Sequence, residues 1–523
     1  MQPEFSKFGC PSHIFPILAI MFVRKKKNKS GVISVQVIDK SHSKYKVLKT
    51  IGSSSDILEI EHLYQEGNNW IKSQTGLFEF DFTNERQQTS QFLDNIDQIS
   101  VSGSDLLLGK LFDDIGFNKI DDELFKILVI SRLCYPVSKL KTTDYLLRYH
   151  SLDIDVHEFY RYLDKLHSTQ KEVVQQISYQ HTLQVLSGEI SILFYDVTTL
   201  YFEIEREDEF RKTGFSKEGR HQNPQIVLGL LVSIDGYPLA YEIFDGKKFE
   251  GHTMLPVIEA FKTKYEIPKI VIIADSGLLS ADNISQLQSK GYEYILGARI
   301  KSEKQSIKQQ ILSLRLKNGE SSMIEKDENT RLILSYSDSR ARKDQSNRER
   351  GLKKLEKQIQ SGKLTKSNIN NRGYNKYLKF EGEIFVSIDN DKFDQDSQWD
   401  GLKGYMTNTK LSKQEVIDNY GHLWKIEKAF RISKHDLRIR PIFHRLQRRI
   451  EAHICIAFTA YKVYKELERQ LKIRKSTLSP EQAIEIAKTI YSITVRTPIT
   501  NQPMTKVLLL NEEQKNLAKL FGF

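Results

Sequence analysis

The chain has 523 residues, with 78 Lys and Arg against 67 Asp and Glu, a formal net charge of +11, and 39% apolar residues. At roughly 100–200 residues per domain this length suggests about three or four domains, and the apolar content excludes wholesale disorder. Cys10, Cys134 and Cys455 lie far apart with no CxxC pair, which excludes a disulfide scaffold and a cysteine-based zinc site and fits a reducing compartment.

No stretch approaches the roughly 18–20 apolar residues of a membrane span, so no membrane association is expected. The run Ile14–Val23 is followed by its basic cluster, the reverse of a signal peptide. Met21 opens MFVRKKKNKSG, so residues 1–20 read either as an upstream extension outside the fold or as a buried first strand. Residues 21–120 read as a hairpin and helix region. GVISVQVIDK and KYKVLKTIG alternate apolar with polar around SHS, and Ser53–Asp56 caps a helical stretch to about Lys72. Residues 121–187 read as all-helical, with apolar residues at i, i+3 and i+4 in 138–149, 155–166 and 168–187. A DNA-binding unit of helix-turn-helix kind and a plain helical bundle are both compatible with that pattern.

From residue 189 the period changes. EISILFYD, IVLGLLVSID, YPLAYEIF, KIVIIAD and YEYILGA read as strands, with a turn at Asp235-Gly236 and helices near 253–263 and 280–290. Three antiparallel strands leading into α/β units give the order of a ribonuclease-H-like core, whose first part spans 188–299. Residues 300–412 read as a mixed, basic insertion domain. Helices at 413–434 and 445–470 fill the second core segment, 413–475, and 476–523 reads as a helical tail. The expected fold class is therefore α/β. No GxxxxGK[ST] loop supports a nucleotide-driven motor.

Asp196 is expected to end the first core strand and Asp275 the fourth, so that both carboxylates emerge at one sheet edge. Crowded carboxylates repel unless a cation neutralises them. A pair of Mg²⁺ ions, with Mn²⁺ as a substitute, takes such hard oxygen ligands. Glu427 is the candidate third ligand. On a continuous helix Tyr420, Trp424, Glu427, Arg431 and Lys434, spaced 4, 3, 4 and 3, share one face that combines an acid, aromatic rings and phosphate-binding cations. Strand-end capping by the two Asp, and a Glu427–Arg431 pair on a solvated face, are the plainer readings.

Charge is concentrated. Residues 340–379 hold thirteen Lys/Arg against three Asp/Glu, and a second block runs through Arg431, Lys434, Arg438, Arg440, Arg445, Arg448 and Arg449. Such blocks suit phosphate contacts, or solvated helix faces. Lys217, Arg220 and His221 sit in a loop after the first core strand, as DNA-gripping candidates. Thr198 and Thr199 flank Asp196, and His252 follows FEG.

Tyr420, Glu427 and Lys434 also fit a Y-x2-R-x3-E-x6-K signature, with Leu423 at the Arg position. In this, and in its Asp196/Asp275 pair and long insertion, the chain resembles DDE transposases of bacterial insertion sequences. They belong to the IS-four superfamily, and more narrowly the chain resembles its IS-sixteen-thirty-four branch. The resemblance implies Asp196, Asp275 and Glu427 as catalytic and metal-binding residues, and DNA cleavage and strand transfer assisted by two metal ions. It implies double-stranded DNA as partner (terminal inverted repeats and target), a homodimer on DNA, and a bacterial cytoplasmic location, nucleoid-associated when DNA-bound. It leaves the Arg position to Arg431 or Lys425, and suggests that Trp399 of the insertion stacks on a displaced base. A DNA-binding relic that no longer cuts, and another nuclease of the same fold, are the alternatives.

Overall fold

Alternating side chains build the first sheet. In the computed structural model β1 (Met21–Lys27), β2 (Ile33–Asp39) and β3 (Lys46–Ser54) form an antiparallel sheet in that order, and α1 (Ile57–Thr75) packs on it. Residues 21–523 are described except 41–43, 76–84, 205, 217–218, 220–221, 279, 363–372, 382–384 and 498–499. The upstream-extension reading of 1–20 thus lies outside the described residues. The expected hairpin is β2–β3. The basic run MFVRKKK, expected to lie outside it, adds β1, because period-two alternation sends Val23 inward while its lysines face solvent. Val23, Val35, Val37, Ile60 and Ile71 make this unit's own core. The unit closes with α2 (Glu85–Asp94) and ends at Asn95.

The second unit, Ile96–Phe523, opens with β4 (Ile96–Val101) and α3 (Lys110–Ile115). Then come α4 (Glu123–Cys134), α5 (Lys139–His150), α6 (Val156–Thr169) and α7 (Lys171–Val185). Asp122, Ser138 and Asp155 cap the first three of these, accepting from the N–H groups of Leu124, Lys141 and His157. Such caps contribute about 1 kcal/mol each.

Next come β5 (Ile192–Tyr201), β6 (Gln225–Ser233), β7 (Pro238–Asp245), α8 (Met254–Tyr265), β8 (Val271–Ala274), α9 (Ala281–Ser289) and β9 (Glu293–Ala298). They lie in the spatial order β7-β6-β5-β8-β9. β6 is antiparallel to both neighbours, and β5, β8 and β9 are parallel. All nine residues of β6 are buried, as befits a strand covered on both faces.

Four expectations are corrected. First, β5 does not end at Asp196. It runs on to Tyr201 because β6 keeps pairing with it, so Asp196 lies opposite Leu230 in mid-strand, although the ladder to β8 stops at Tyr195↔Ala274. Second, the 300–412 segment does not stand apart from the core sheet. It supplies α10 (Gln305–Ser313), β10 (Ser321–Asp327), β11 (Thr330–Tyr336), α11 (Asp338–Gln360), β12 (Leu378–Glu381), β13 (Phe385–Ile388), α12 (Asn390–Ser397) and β14 (Leu402–Thr407). β14 pairs with the free edge of β9, and β11 and β10 follow, giving one eight-stranded mixed sheet. An unpaired strand edge is a ready template for such extension.

Third, the helix expected over 413–434 is broken. α13 (Lys413–Gly421), with a Ser412/Glu415 capping box, stops at Gly421, and α14 (Trp424–Arg431) restarts after a tight turn. In that turn the Leu423 N–H bonds the Tyr420 carbonyl and the Ile426 N–H bonds the Leu423 carbonyl, three residues apart rather than four. Fourth, the C-terminal region is not purely helical. After α15 (Gln447–Ile473) and α16 (Pro480–Ala487), β15 (Tyr491–Arg496) and β16 (Pro503–Leu508) form a sheet with β4, and α17 (Glu512–Phe521) ends the chain.

Each face of the large sheet carries its own core. Phe194, Leu200, Val271 and Ile273 pack with Ile426, Ala429 and Phe430 of α14 and with α15. Leu193, Tyr195, Ile272 and Ala274 pack with α8 and Leu287 of α9 on the opposite side. α15 is buried all round from Ala452 to Tyr464, as a central core helix must be.

Candidate active site

Strand alternation places the carboxylates. Asp196 follows Phe194 by two and Asp275 follows Ile273 by two, so both belong to the face that carries α14. They stand one position beyond the last pair of the β5/β8 ladder, on strands about 4.8 Å apart. Glu427 stands on α14, which packs on β5. Asp275 and Glu427 line one cleft of about 390 Å³ together with Tyr420, Leu423, Trp424, Arg340 and Lys403. The carboxylates of both are exposed.

Tyr420 holds the cleft floor. It is 5% exposed, and its hydroxyl donates to Asp275 Oδ1 at 3.4 Å. Burial first, then the Asp275 charge, pushes its own ionisation well above the ordinary tyrosine value, so it remains a neutral donor. Gly297 makes the reach possible: a Cβ there would lie 2.4 Å from the Tyr420 hydroxyl oxygen. The Ser276 N–H also donates to Asp275 Oδ1, at 2.6 Å.

Two cations enter the cleft from the inserted segment: Lys403, missed in the sequence, and Arg340, which opens the basic 340–379 block. Lys403 on β14 sits 4.5 Å above the Tyr420 ring and 5.3 Å from that of Tyr405. Burial and the nearby Arg340 lower its pKa, while Asp275 and Glu427 act in the opposite sense. Arg340 comes from the first turn of α11. The period-two pattern of LKGYMT, which puts Lys403 beside Tyr405, was the available signal.

The other expected residues divide. Leu423 is 6% exposed in the main core, and Lys425 bonds the Ile234 carbonyl at 2.6 Å, pairs with Asp235 and does not line the cleft. The break after Gly421 separates Tyr420 from the α14 face. Arg431, exposed, and Lys434 do not line the cleft. Arg448 and Arg449 are both tied to Asp164, at 2.8 and 2.7 Å, while Arg445 is exposed. Trp399 packs against the apolar cluster of Ile300, Ile311 and Leu332. Thr198 and Thr199 are buried in β5, and His252 meets Phe249 edge-on. Lys217, Arg220 and His221 lie outside the described residues.

Asp196, Asp275 and Glu427 are hard oxygen donors of the kind that hold Mg²⁺ or Mn²⁺. Among the described residues no three acidic, His or Cys side chains converge into a metal cluster. Three like charges repel without a cation between them, and Asp275 is turned onto Ser276 and Tyr420. The donors fit such an ion in chemistry; Asp275 and Glu427 share the cleft, and Asp196, on the strand beside Asp275, is not among its lining residues.

Residues 187–462, just over half of the chain, match the family described as the transposase DDE domain. The chain belongs to that family. The match runs from the end of α7 into α15, so the transposase domain includes all three carboxylates and the whole inserted segment with Lys403 and Arg340. DDE transposases cut and transfer DNA and generally use divalent metals. Two solved structures are similar. A cryo-EM structure of the piggyBac transposase synaptic complex with hairpin DNA is 9% identical, covering 76% of this chain and 79% of that one, with a TM-score of 0.38. The Mos1 transposase paired-end complex with left transposon end is 12% identical, covering 36% and 56%, with a TM-score of 0.15. No curated protein matches. Among the described residues no helix is long and apolar enough to cross a membrane.

Proposed function

We propose that this chain is the transposase of a bacterial insertion sequence of the IS-four superfamily, in the IS-sixteen-thirty-four-like branch, built on a ribonuclease-H-like core. It binds the terminal inverted repeats, cuts at their ends and joins them to target DNA. The observation that supports this most is the shared cleft: Asp275 and Glu427 open onto one space, with Asp196 on the same sheet face and on the strand beside Asp275.

In this reading Asp196, Asp275 and Glu427 would hold the divalent ions, which supply charge neutralisation and activation of the attacking oxygen when bound. The chain's own groups position the DNA. Lys403 and Arg340 face the cleft from the inserted segment and neutralise the phosphate undergoing attack, taking the place of the cation that Leu423 cannot provide. Tyr420 orients the Asp275 carboxylate through its hydroxyl and contacts no DNA, since it is buried. Two ends must be held together, so a homodimer forms on DNA, in the bacterial cytoplasm.

The test is cleavage and strand transfer on a labelled duplex carrying the DNA that flanks the gene, with Mg²⁺ or Mn²⁺. Asp196→Asn, Asp275→Asn and Glu427→Gln each abolish cutting and spare DNA binding. Lys403→Met slows cutting about 10–100-fold, or ~1.4–2.7 kcal/mol of barrier. Sequence-specific binding by the wild-type chain with no cutting under either metal would replace this reading with that of a DNA-binding relic.

A further inference from the structure

A second cavity lies apart from the carboxylate cleft. It measures about 580 Å³ and lies between the end of α4, the start of α5, the 438–446 segment and the first turns of α15. Arg132, Lys139, Lys141, Arg438, Arg440 and Arg445 line it, and among its described lining residues there is no carboxylate. Two of these cations are sunk into the protein: Arg132 and Lys139 are each 5% exposed.

Among the described residues neither has the partner that burial of a charge requires. Among the described residues, Arg132 Nε has no hydrogen-bond partner. Its Nη1 and Nη2 make only long contacts, 3.5 Å to the Arg438 carbonyl and 3.4 Å to His453 Nδ1. Burial and then the Arg132 charge push the Lys139 ammonium well below its ordinary pKa, with no opposing carboxylate. His444 and His453, also on the wall, are held neutral by burial and by the same cations. Lys139 is the first residue of α5, a twelve-residue helix capped by Ser138, so the positive end of that helix faces the same space.

We propose that this cavity is a phosphate-binding site, and that the phosphate it receives is a backbone phosphodiester of double-stranded DNA. An anion there supplies the counter-charge that Arg132 and Lys139 lack. The position suits DNA already engaged at the carboxylates. Arg440 of the cavity wall lies 5.5 Å from the ring of Tyr201, the last residue of the strand that carries Asp196. Five residues of strand are ~16 Å, less than one turn of duplex at ~34 Å. The DNA source of the phosphate rests on the transposase reading; the phosphate site itself does not.

The experiment uses the full chain and has two arms. Thermal unfolding is followed in phosphate and in chloride at matched ionic strength. Binding of a labelled duplex of about three helical turns is measured against salt. Wild type, Lys139→Met and, in case that variant misfolds, the rim variant Arg440→Gln are compared. Phosphate is expected to raise the wild-type midpoint by about 3 °C over chloride, and Lys139→Met to lose this shift. Lys139→Met is also expected to bind duplex about 10-fold more weakly, with a salt slope smaller by about 1. A variant that keeps the phosphate shift and wild-type duplex affinity overturns the site. Loss of the phosphate shift with unchanged duplex binding overturns the DNA source and assigns the cavity to free phosphate. A wild-type phosphate shift without any duplex binding overturns the transposase reading while supporting the site.

Discussion

Lys462 and Lys139 are both buried in the same unit, and their surroundings are opposite. Lys462, fully buried on α15, donates to the Ser178 carbonyl at 3.0 Å and to the Thr182 hydroxyl, and stands over the Tyr237 ring at 4.3 Å. One turn on, Glu466 is 1% exposed and accepts from Tyr237 at 2.7 Å, from Arg469 at 2.6 Å and from Gln470. Burial alone would raise the Glu466 pKa, yet Arg469, Gln470 and Tyr237 hold it below the ordinary value. This α7–α15 seam is a closed network with charge of both signs. The cavity around Lys139 has buried charge of one sign. The chain can therefore satisfy an interior ammonium where the role is structural, and the open arrangement at Lys139 marks a place where the complement comes from outside.

Mutation of the two lysines should break or keep that contrast, and gives the largest effect. Lys462→Met removes both of its hydrogen bonds, to Ser178 and Thr182, and a positive neighbour of Glu466, so it should lower stability by about 3–5 kcal/mol. Lys139→Met removes an uncompensated charge and should raise the stability of the free protein. Denaturant unfolding of both variants, free of phosphate, measures the pair. Equal losses in the two would erase the distinction.

Acid comes next. His181 in the seam and His444 on the cavity wall are each lowered from an ordinary value of 6.5 to about 4, in both cases first by burial, and burial also holds His453 well below the ordinary value. A histidine with a depressed folded pKa takes up its proton on unfolding, so stability is full above pH ~6.5 and falls as pH drops from there towards 4. The slope approaches ~1.4 kcal/mol per pH unit for each such histidine. Bound phosphate should flatten the part due to His444 and His453, which face Arg132 and Lys139, and leave that of His181 unchanged. Calorimetric midpoints against pH, with and without phosphate, read this directly.

The carboxylate cleft is a third arrangement, in which exposed acids lean on a buried neutral hydroxyl. Gly297→Ala drives a methyl against the Tyr420 hydroxyl. It should cost about 1–3 kcal/mol and slow cutting by displacing Asp275, whereas Tyr420→Phe should slow cutting with little loss of stability. If Gly297→Ala slows cutting no more than a surface substitution does, Tyr420 does not position Asp275.

The strands β5 to β9 were legible because each is a short apolar run, which put Asp196 and Asp275 on neighbouring strands although β5 runs on past Asp196. Features set by distant pairing were not legible. β15 finds β4 across nearly four hundred residues, and nothing local in Tyr491–Arg496 or Ile96–Val101 names the other. β14 joins β9 because the edge of β9 is free, and this pairing alone brings Lys403 to Asp275. The break at Gly421 hides in an apolar period that continues across it, so Tyr420 and Glu427 seemed to share one helical face. The anion cavity was half-visible: Arg438, Arg440 and Arg445 stood out as a basic block, but Arg132 sits in the apolar helix ELFKILVISRLC, where only the fold reveals that its charge has no partner.

The smallest effect separates cations committed inside the chain from cations available to a ligand. Arg449 on the cavity wall and Arg448 next to it are held by Asp164, whose carboxyl the Arg449 hydrogen bonds, against burial and with help from Arg448, keep well below the ordinary carboxylate range. A depressed carboxylate contributes stability above its unfolded pKa of ~3.9 and loses it only as pH falls through the lower folded value. That window lies beneath the one in which the histidines act, so the two are separable in one titration. Asp164→Asn should cost about 1 kcal/mol, since the pair is partly exposed and screened. It should also release two guanidinium groups at the cavity rim and tighten duplex binding a few-fold at low salt, an advantage that disappears as salt rises. Tighter binding in Asp164→Asn with weaker binding in Lys139→Met would show that the cavity and its rim contact the same backbone. A loss of binding in Asp164→Asn would mean that the pair shapes the site instead of withholding charge from it.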